Sequence, residues 1–280
     1  MQAEVKNVEK RGLAMKHFAH FLRHPLIRIF LAPLGFGIYG LIVGMYHTTE
    51  INWLALGYLY LILVSSQLID HYFFVRFNTR KANASSPVIL YAMEILLWAA
   101  TVGFMWQHHW GANLLLLLYI AYTHIQHYPY NLTNSLYQLI LNVFFQAFIV
   151  NNLAYFSQTG TITTGFLISL LPLAALQLAF QAEGNSLVSQ LTGHPSVMPH
   201  GLKTSLVLIL SLVAVAAGTY LSFPSKSYFM LQLLFIAGSV LTLAPLLVQT
   251  RQHNQSQNKL NYLSTSYLLI SILYGLAFCF

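Results

Sequence analysis

Long apolar runs separated by short polar stretches dominate this chain. Nine apolar segments succeed one another at about 26–46, 53–74, 87–106, 111–123, 135–156, 164–182, 202–223, 228–249 and 262–280. Most approach the ~20 residues with which a helix crosses a hydrocarbon core about 30 Å thick, and the fourth is the shortest. A backbone in lipid has to satisfy its own hydrogen bonds, so these runs predict helices. Trp53, Trp106 and Trp110 stand at segment ends, where amphipathic rings suit the water boundary. The expected fold class is an all-α polytopic membrane protein, with 26–280 as a single nine-helix transmembrane domain.

Residues 1–25 read differently. From Lys10 onward, Ala14, Phe18, Phe21 and Leu22 recur at helical spacing, with Lys16, His17, His20 and Arg23 on other faces. This pattern predicts a cytoplasmic basic amphipathic segment lying in the membrane interface. A secretory signal is not expected, because the basic region is long and no small-residue cleavage site follows a short apolar core.

Composition sharpens this picture. The chain is 57% hydrophobic and 7% charged, with a mean hydropathy of +0.62, which is more apolar surface than a soluble domain of 280 residues hides. The net charge of +7 does not point to nucleic acid, since the basic residues sit between spans rather than along a solvated stripe. With nine spans, twelve of the 13 Lys and Arg residues fall on one side, and only Lys226 falls on the other. Basic residues collect on the cytoplasmic side, so the N-terminus is expected inside and the C-terminus opposite. The sequons at Asn83, Asn131 and Asn254 then lie inside and are expected to stay unglycosylated. Cys279, the single cysteine, excludes an intrachain disulfide.

Polar residues within the spans are costly unless they face a partner or a water-filled cavity. Glu94 lies well inside the third span and reads either as a structural glutamic acid hydrogen-bonded to a neighbouring helix or as a functional group facing the bundle interior. Gln138, Asn142 and Gln146 follow at four-residue spacing in the fifth, and Gln177 and Gln181 repeat that spacing in the sixth. Ser66, Gln67 and Asp70 polarise the end of the second. Each stripe either joins helices or lines a cavity; because all lean toward one membrane face, a shared cavity is expected, with Gln67, Glu94, Gln138, Asn142, Gln146, Gln177, Gln181 and Asn185 as lining candidates. His71, His124, His127, His194 and His200 gather at the same face, and the His124-x-x-His127 spacing allows a metal site alongside the plainer reading of interfacial histidines. His108 and His109 read as boundary residues on the other face.

The polar stretch 181–200, QAEGNSLVSQLTGHPSVMPH, interrupts the apolar pattern and reads as an active-site loop. Together with the polar end of the second span, the RHPLIRIFLAP start of the first and the nine-span order, it makes the chain resemble the UbiA-like intramembrane prenyltransferase superfamily. That family has nine transmembrane helices and two Asp-rich loops, after helices 2 and 6. Its first motif, approximately Asn-Asp-x-x-Asp-x-x-x-Asp, aligns with Ser66, Gln67, Asp70 and Phe74, followed by RFNTRKANASSP. Its second, roughly Asp-x-Glu-x-Asp, aligns with Gln181, Glu183 and Asn185, with Gly184 between the last two.

The resemblance implies a nine-helix bundle with a lateral lipid cavity. It implies Mg²⁺ at Asp70 and Glu183 if catalysis survives, with Arg76, Arg80, Lys81 and Lys203 as diphosphate or lipid-headgroup contacts. Ionising a prenyl diphosphate requires clustered carboxylates around Mg²⁺, and Asp70 is the only aspartate in the chain. The expected function is therefore that of a degenerate member, a pseudoenzyme that binds an isoprenoid or quinone-like lipid or joins other membrane subunits. The alternative is an active prenyltransferase moving an isoprenoid from a prenyl diphosphate to a lipophilic acceptor. Lesser alternatives are a transporter and a histidine-metal membrane enzyme. Membrane lipids are expected partners in every case, and nucleic acid in none.

Overall fold

The computed structural model describes residues 25–78, 86–127, 129–133, 135–193, 196–223, 229–248 and 253–280. These residues are all-helical, without strands. The helices are α1 (Pro25–Tyr46), α2 (Trp53–Asn78), α3 (Pro87–Gln107) and α4 (Trp110–Ile125); then α5 (Leu136–Thr159) and α6 (Thr164–Leu191); then α7 (His200–Ser222), α8 (Phe229–Leu247) and α9 (His253–Cys279). Seven of them are long and apolar enough to cross a membrane, and shorter apolar stretches, Phe30–Tyr46 and Trp110–Ile125, lie in α1 and α4. The protein is a polytopic integral membrane protein. The basic segment expected before residue 25, together with Arg80, Lys81, Asn83, His194, Lys226 and Arg251, lies outside the described residues.

Local chemistry sets several boundaries. Pro87 opens α3, where a missing N–H costs nothing. Ser135 caps α5 by accepting from Gln138 N, and Thr163 caps α6 by accepting from Phe166 N. Gly160 and Gly193 end α5 and α6 at φ 69° and 75°, a left-handed conformation that glycine adopts without a Cβ clash. The helices reach further into polar sequence than the apolar runs do: α6 continues to Thr192 and α9 begins at His253. Residues 181–192 are thus helical, so the first twelve positions of the loop expected over 181–200 belong to a helix. Gln, Ala, Glu, Ser and Leu are acceptable helix formers, so loss of hydrophobicity there does not end the helix.

Successive helices run up and down. Polar contacts mark the two ends: Asn52, Gln107 and Gln158 meet at one, while Asp70, Gln126 and His127 meet at the other. Apolar packing falls into two clusters. One joins α2 to α5 through residues such as Ile62, Leu97, Leu116 and Leu153; the other joins α1 and α6 to α9 through Tyr39, Leu170, Leu173 and Tyr274. Phe36 on α1 packs against both. The outward faces are apolar too, as with Ile95, Trp98 and Val102 on α3 and Ile209, Leu212 and Val213 on α7. Such surfaces suit hydrocarbon and would be costly in water.

The second half of α5 is the most enclosed part of the bundle, with Val150 to Tyr155 buried without interruption. Gly40 of α1 abuts it so closely that an added Cβ would stand 2.1 Å from the Asn151 carbonyl oxygen. Asn151 Oδ1 accepts from Gly40 N at 2.9 Å, and Asn151 Nδ2 donates to Ala147 O at 2.9 Å. Between the two halves of α5, Phe144–Ile149 forms a π-helical turn. The polar stripe Gln138, Asn142, Gln146 faces the cavity described below, while Asn151, five residues past Gln146, faces α1.

Candidate functional site: an amide-lined cavity at one end of the bundle

The ends of α2, α4 and α6 and the beginnings of α1, α5 and α9 enclose a cavity of about 520 Å³. It lies along the seam between the two apolar clusters, with Leu63, Tyr119 and Tyr122 on one wall and Phe180, Leu263 and Tyr267 on the other. A volume of this size falls within the range of small-molecule and lipid sites. Seven of the amides singled out in the sequence stand on its wall: Gln67, Gln138, Asn142, Gln146, Gln177, Gln181 and Asn185. Gln126, which the sequence reading did not single out, makes an eighth. Its position one residue before His127, at the end of a span, was the available signal.

Four-residue spacing brings these side chains together, since positions i and i+4 share a helix face. Gln146 of α5 is the hub. Its Oε1 accepts from Gln177 Nε2 at 2.5 Å and from Gln181 Nε2 at 2.9 Å, coupling the α5 stripe to the α6 stripe. Tyr122 donates its hydroxyl to Asn142 Oδ1 at 2.7 Å, tying α4 to the same wall. Two carboxamide atoms of the cavity wall are buried without a partner among the described residues: Gln67 Oε1, an acceptor, and Asn185 Nδ2, a donor. A buried donor and acceptor left unmade cost free energy until a ligand or water satisfies them.

Asp70 lies on the cavity wall with its side chain 42% exposed. Oδ1 is held by His127 Nε2 at 2.8 Å and by the Gln126 amide. His127 is buried and also faces Thr133 Oγ1 through Nδ1. The carboxylate is thus fixed by two donors on its Oδ1 side, and among the described residues Asp70 is the only acidic one on the wall.

Glu183 does not join Asp70. Two residues along a helix turn the side chain by about 200°, so Glu183 points away from the face that carries Gln181 and Asn185. It is buried between two lysines, Lys203 Nζ at 2.7 Å from Oε2 and Lys259 Nζ at 2.6 Å from Oε1. The expectation of Asp70 and Glu183 as paired metal ligands therefore conflicts with this helical geometry. Among the described residues, no group of three or more His, Cys, Asp or Glu side chains is placed to hold a metal ion. One carboxylate with one oxygen already engaged does not fit the oxygen-rich shell that Mg²⁺ and a diphosphate require.

The remaining candidates are also placed elsewhere. Glu94 does not line the cavity; its Oε1 lies 2.9 Å from His124 Nε2, and His124 Nδ1 lies 2.8 Å from Ile120 O. This contact joins α3 to α4 and gives a glutamate inside an apolar helix a polar partner. His124 and His127 thus serve different carboxylates rather than one metal. Arg76 is exposed, donates to the Tyr72 hydroxyl at 3.2 Å and does not line the cavity. Lys203 does not line the cavity and pairs with Glu183. Among the described residues the wall carries no Lys or Arg. On the other end of the bundle, His108 stacks on Phe104 at 4.1 Å and has no part in the site.

No family model, curated protein or solved structure matches this chain. The class defined by its fold is that of a polytopic all-α membrane protein with a cavity between its helix ends, lined by amides and apolar side chains.

Proposed function

We propose that this protein is a UbiA-like prenyltransferase-superfamily member that holds a neutral isoprenoid- or quinone-type lipid without transferring it, either by itself or as a subunit of a membrane complex. The observation that carries this reading is the composition of the cavity wall, with eight carboxamides, one carboxylate and no Lys or Arg among the described residues. Carboxamides offer paired donors and acceptors without charge, which suits carbonyl and hydroxyl head groups. A prenyl diphosphate would bring several negative charges to a wall whose described residues include one carboxylate and no Lys or Arg, with only the imidazoles of His71 and His127 as basic groups. The apolar residues that share the wall, such as Leu63, Phe180 and Leu263, suit a hydrocarbon tail.

The orientation proposed with this reading puts the N-terminus and the cavity end on the cytoplasmic side and the C-terminus opposite. Arg76, Lys203 and Lys259 at the cavity end support it. Accessibility of single cysteines introduced at Thr49 and Ser196 tests it: Ser196 should react from the cytoplasmic face and Thr49 from the other.

Calorimetry on the detergent-solubilised protein tests the function with a prenyl alcohol, a short-chain quinone and the matching prenyl diphosphate, each with and without Mg²⁺. The neutral compounds should bind, with no effect of the metal. Mg²⁺-dependent diphosphate binding that disappears in Asp70→Ala would overturn the proposal in favour of a working transferase, a reading that rests on the position of Asp70 at the cavity wall.

A further inference from the structure

Outside the cavity, α6, α7, α8 and α9 meet around a buried group of three ions. Glu183 carries one negative charge, and Lys203 and Lys259 carry one positive charge each, so the group holds an excess of one positive charge. The lysine side chains are 7% exposed and that of Glu183 is 5% exposed. Burial of an uncompensated charge is expensive unless a counter-ion completes it. The two ammonium groups differ. Lys259 spends its three N–H donors on Glu183 Oε1 at 2.6 Å, Leu246 O at 2.6 Å and Val248 O at 2.7 Å. Lys203 has Glu183 Oε2 as its partner among the described residues, so two of its three donors are unused.

A crevice of about 20 Å³ adjoins these ions, bordered also by Gln190, His200 and Thr204. That is room for about one oxygen-sized atom. Its rim opens outward, since Gln190, His200 and Val248 are exposed. It also sits where α6 and α8 end and α7 and α9 begin, the level at which membrane helices meet the headgroup layer. Excess positive charge, unused donors, an oxygen-sized recess and an interfacial position converge on one ligand chemistry.

We propose that Lys203, with Lys259 and Glu183 behind it, is a seat for a phosphate group, which inserts one non-bridging oxygen into the crevice and neutralises the buried excess charge. A charge-assisted hydrogen bond from the Lys203 ammonium would hold that oxygen. The phosphate belongs either to an anionic phospholipid or to free phosphate. This inference does not depend on what the cavity binds.

Thermal unfolding of the full-length protein in a non-ionic detergent tests it, with phosphatidylglycerol added in one arm and inorganic phosphate in another, against chloride at equal ionic strength. The wild-type midpoint should rise by roughly 3 °C or more in at least one arm. A rise with phosphatidylglycerol alone identifies the lipid as the source, and an equal rise with inorganic phosphate identifies the free ion. Lys203→Gln leaves a balanced Glu183–Lys259 pair and should lose most of the response. His200→Glu places a carboxylate at the exposed rim while keeping all three ions, so it guards against a folding defect in the first variant, and its response should fall to about a third or less through occupation of the same seat. No wild-type shift in either arm, or an undiminished response in a folded variant, would overturn the seat.

Discussion

Two faces of one helix make the most informative comparison in this protein. One face of α6 carries Gln177, Gln181 and Asn185 into a cavity of about 520 Å³, where neutral groups form a connected network with spare donors and acceptors. The other carries Glu183 into a nearly dry junction where two lysines close on it. The two environments differ by only two positions in sequence. The polar run of α6 therefore meets two environments, an amide-bearing cavity wall on one side and a helix junction on the other, and the difference lies in what α6 contributes: neutral amides to the cavity and the charge of Glu183 to the junction.

The largest effect should come from the junction. Glu183→Gln removes the only anion and leaves two buried ammonium groups, so unfolding in detergent should show a loss of about 3–5 kcal/mol. Adding Lys203→Gln to that variant should restore part of the loss, because it removes an unpaired cation; the recovery is read as non-additivity in a double-mutant cycle. A loss below about 1 kcal/mol for Glu183→Gln would mean that the junction is not held together by ions.

The cavity face should respond in binding more than in stability. Gln146→Leu deprives Gln177 and Gln181 of their shared acceptor, and affinity for the neutral lipid should fall about tenfold by calorimetry, while stability changes by ~1 kcal/mol, as befits a hydrogen bond between membrane helices. Asp70→Asn keeps the shape of the side chain and removes its charge. Neutral-lipid affinity should change by less than about tenfold, the size of one hydrogen bond, whereas a metal-dependent diphosphate site would lose binding altogether. The smallest effect should come from Glu94→Gln. Its contact with His124 is partly exposed, with side chains 31% and 23% accessible on His124 and Glu94, so a cost of about 1 kcal/mol or less is expected in the same unfolding experiment.

Much of the architecture was visible in the order of residues. All nine apolar segments correspond to α1–α9, because a run of apolar side chains long enough to span hydrocarbon has few structural options other than a helix. The four-residue spacing of Gln138, Asn142 and Gln146 identified one polar helix face, and Gln177 and Gln181 identified another. Helix ends were harder to see. The residues after Ala182 and before Tyr262 are polar but remain helical, and hydropathy does not distinguish a polar helical turn from a loop.

The sequence by itself determined the membrane class, the succession of helices and the amide stripes, since each follows from local periodicity and the cost of polar backbone in lipid. Only the tertiary structure decided the partners: Asp70 with His127, 57 positions apart; Glu94 with His124, 30 apart; and Glu183 with Lys259, 76 apart. Those pairings depend on which helix ends the packing brings together. The same physics separated Asp70 from Glu183: the helix continues through 181–192, and its rotation of about 100° per residue sends Gln181 and Glu183 to opposite sides.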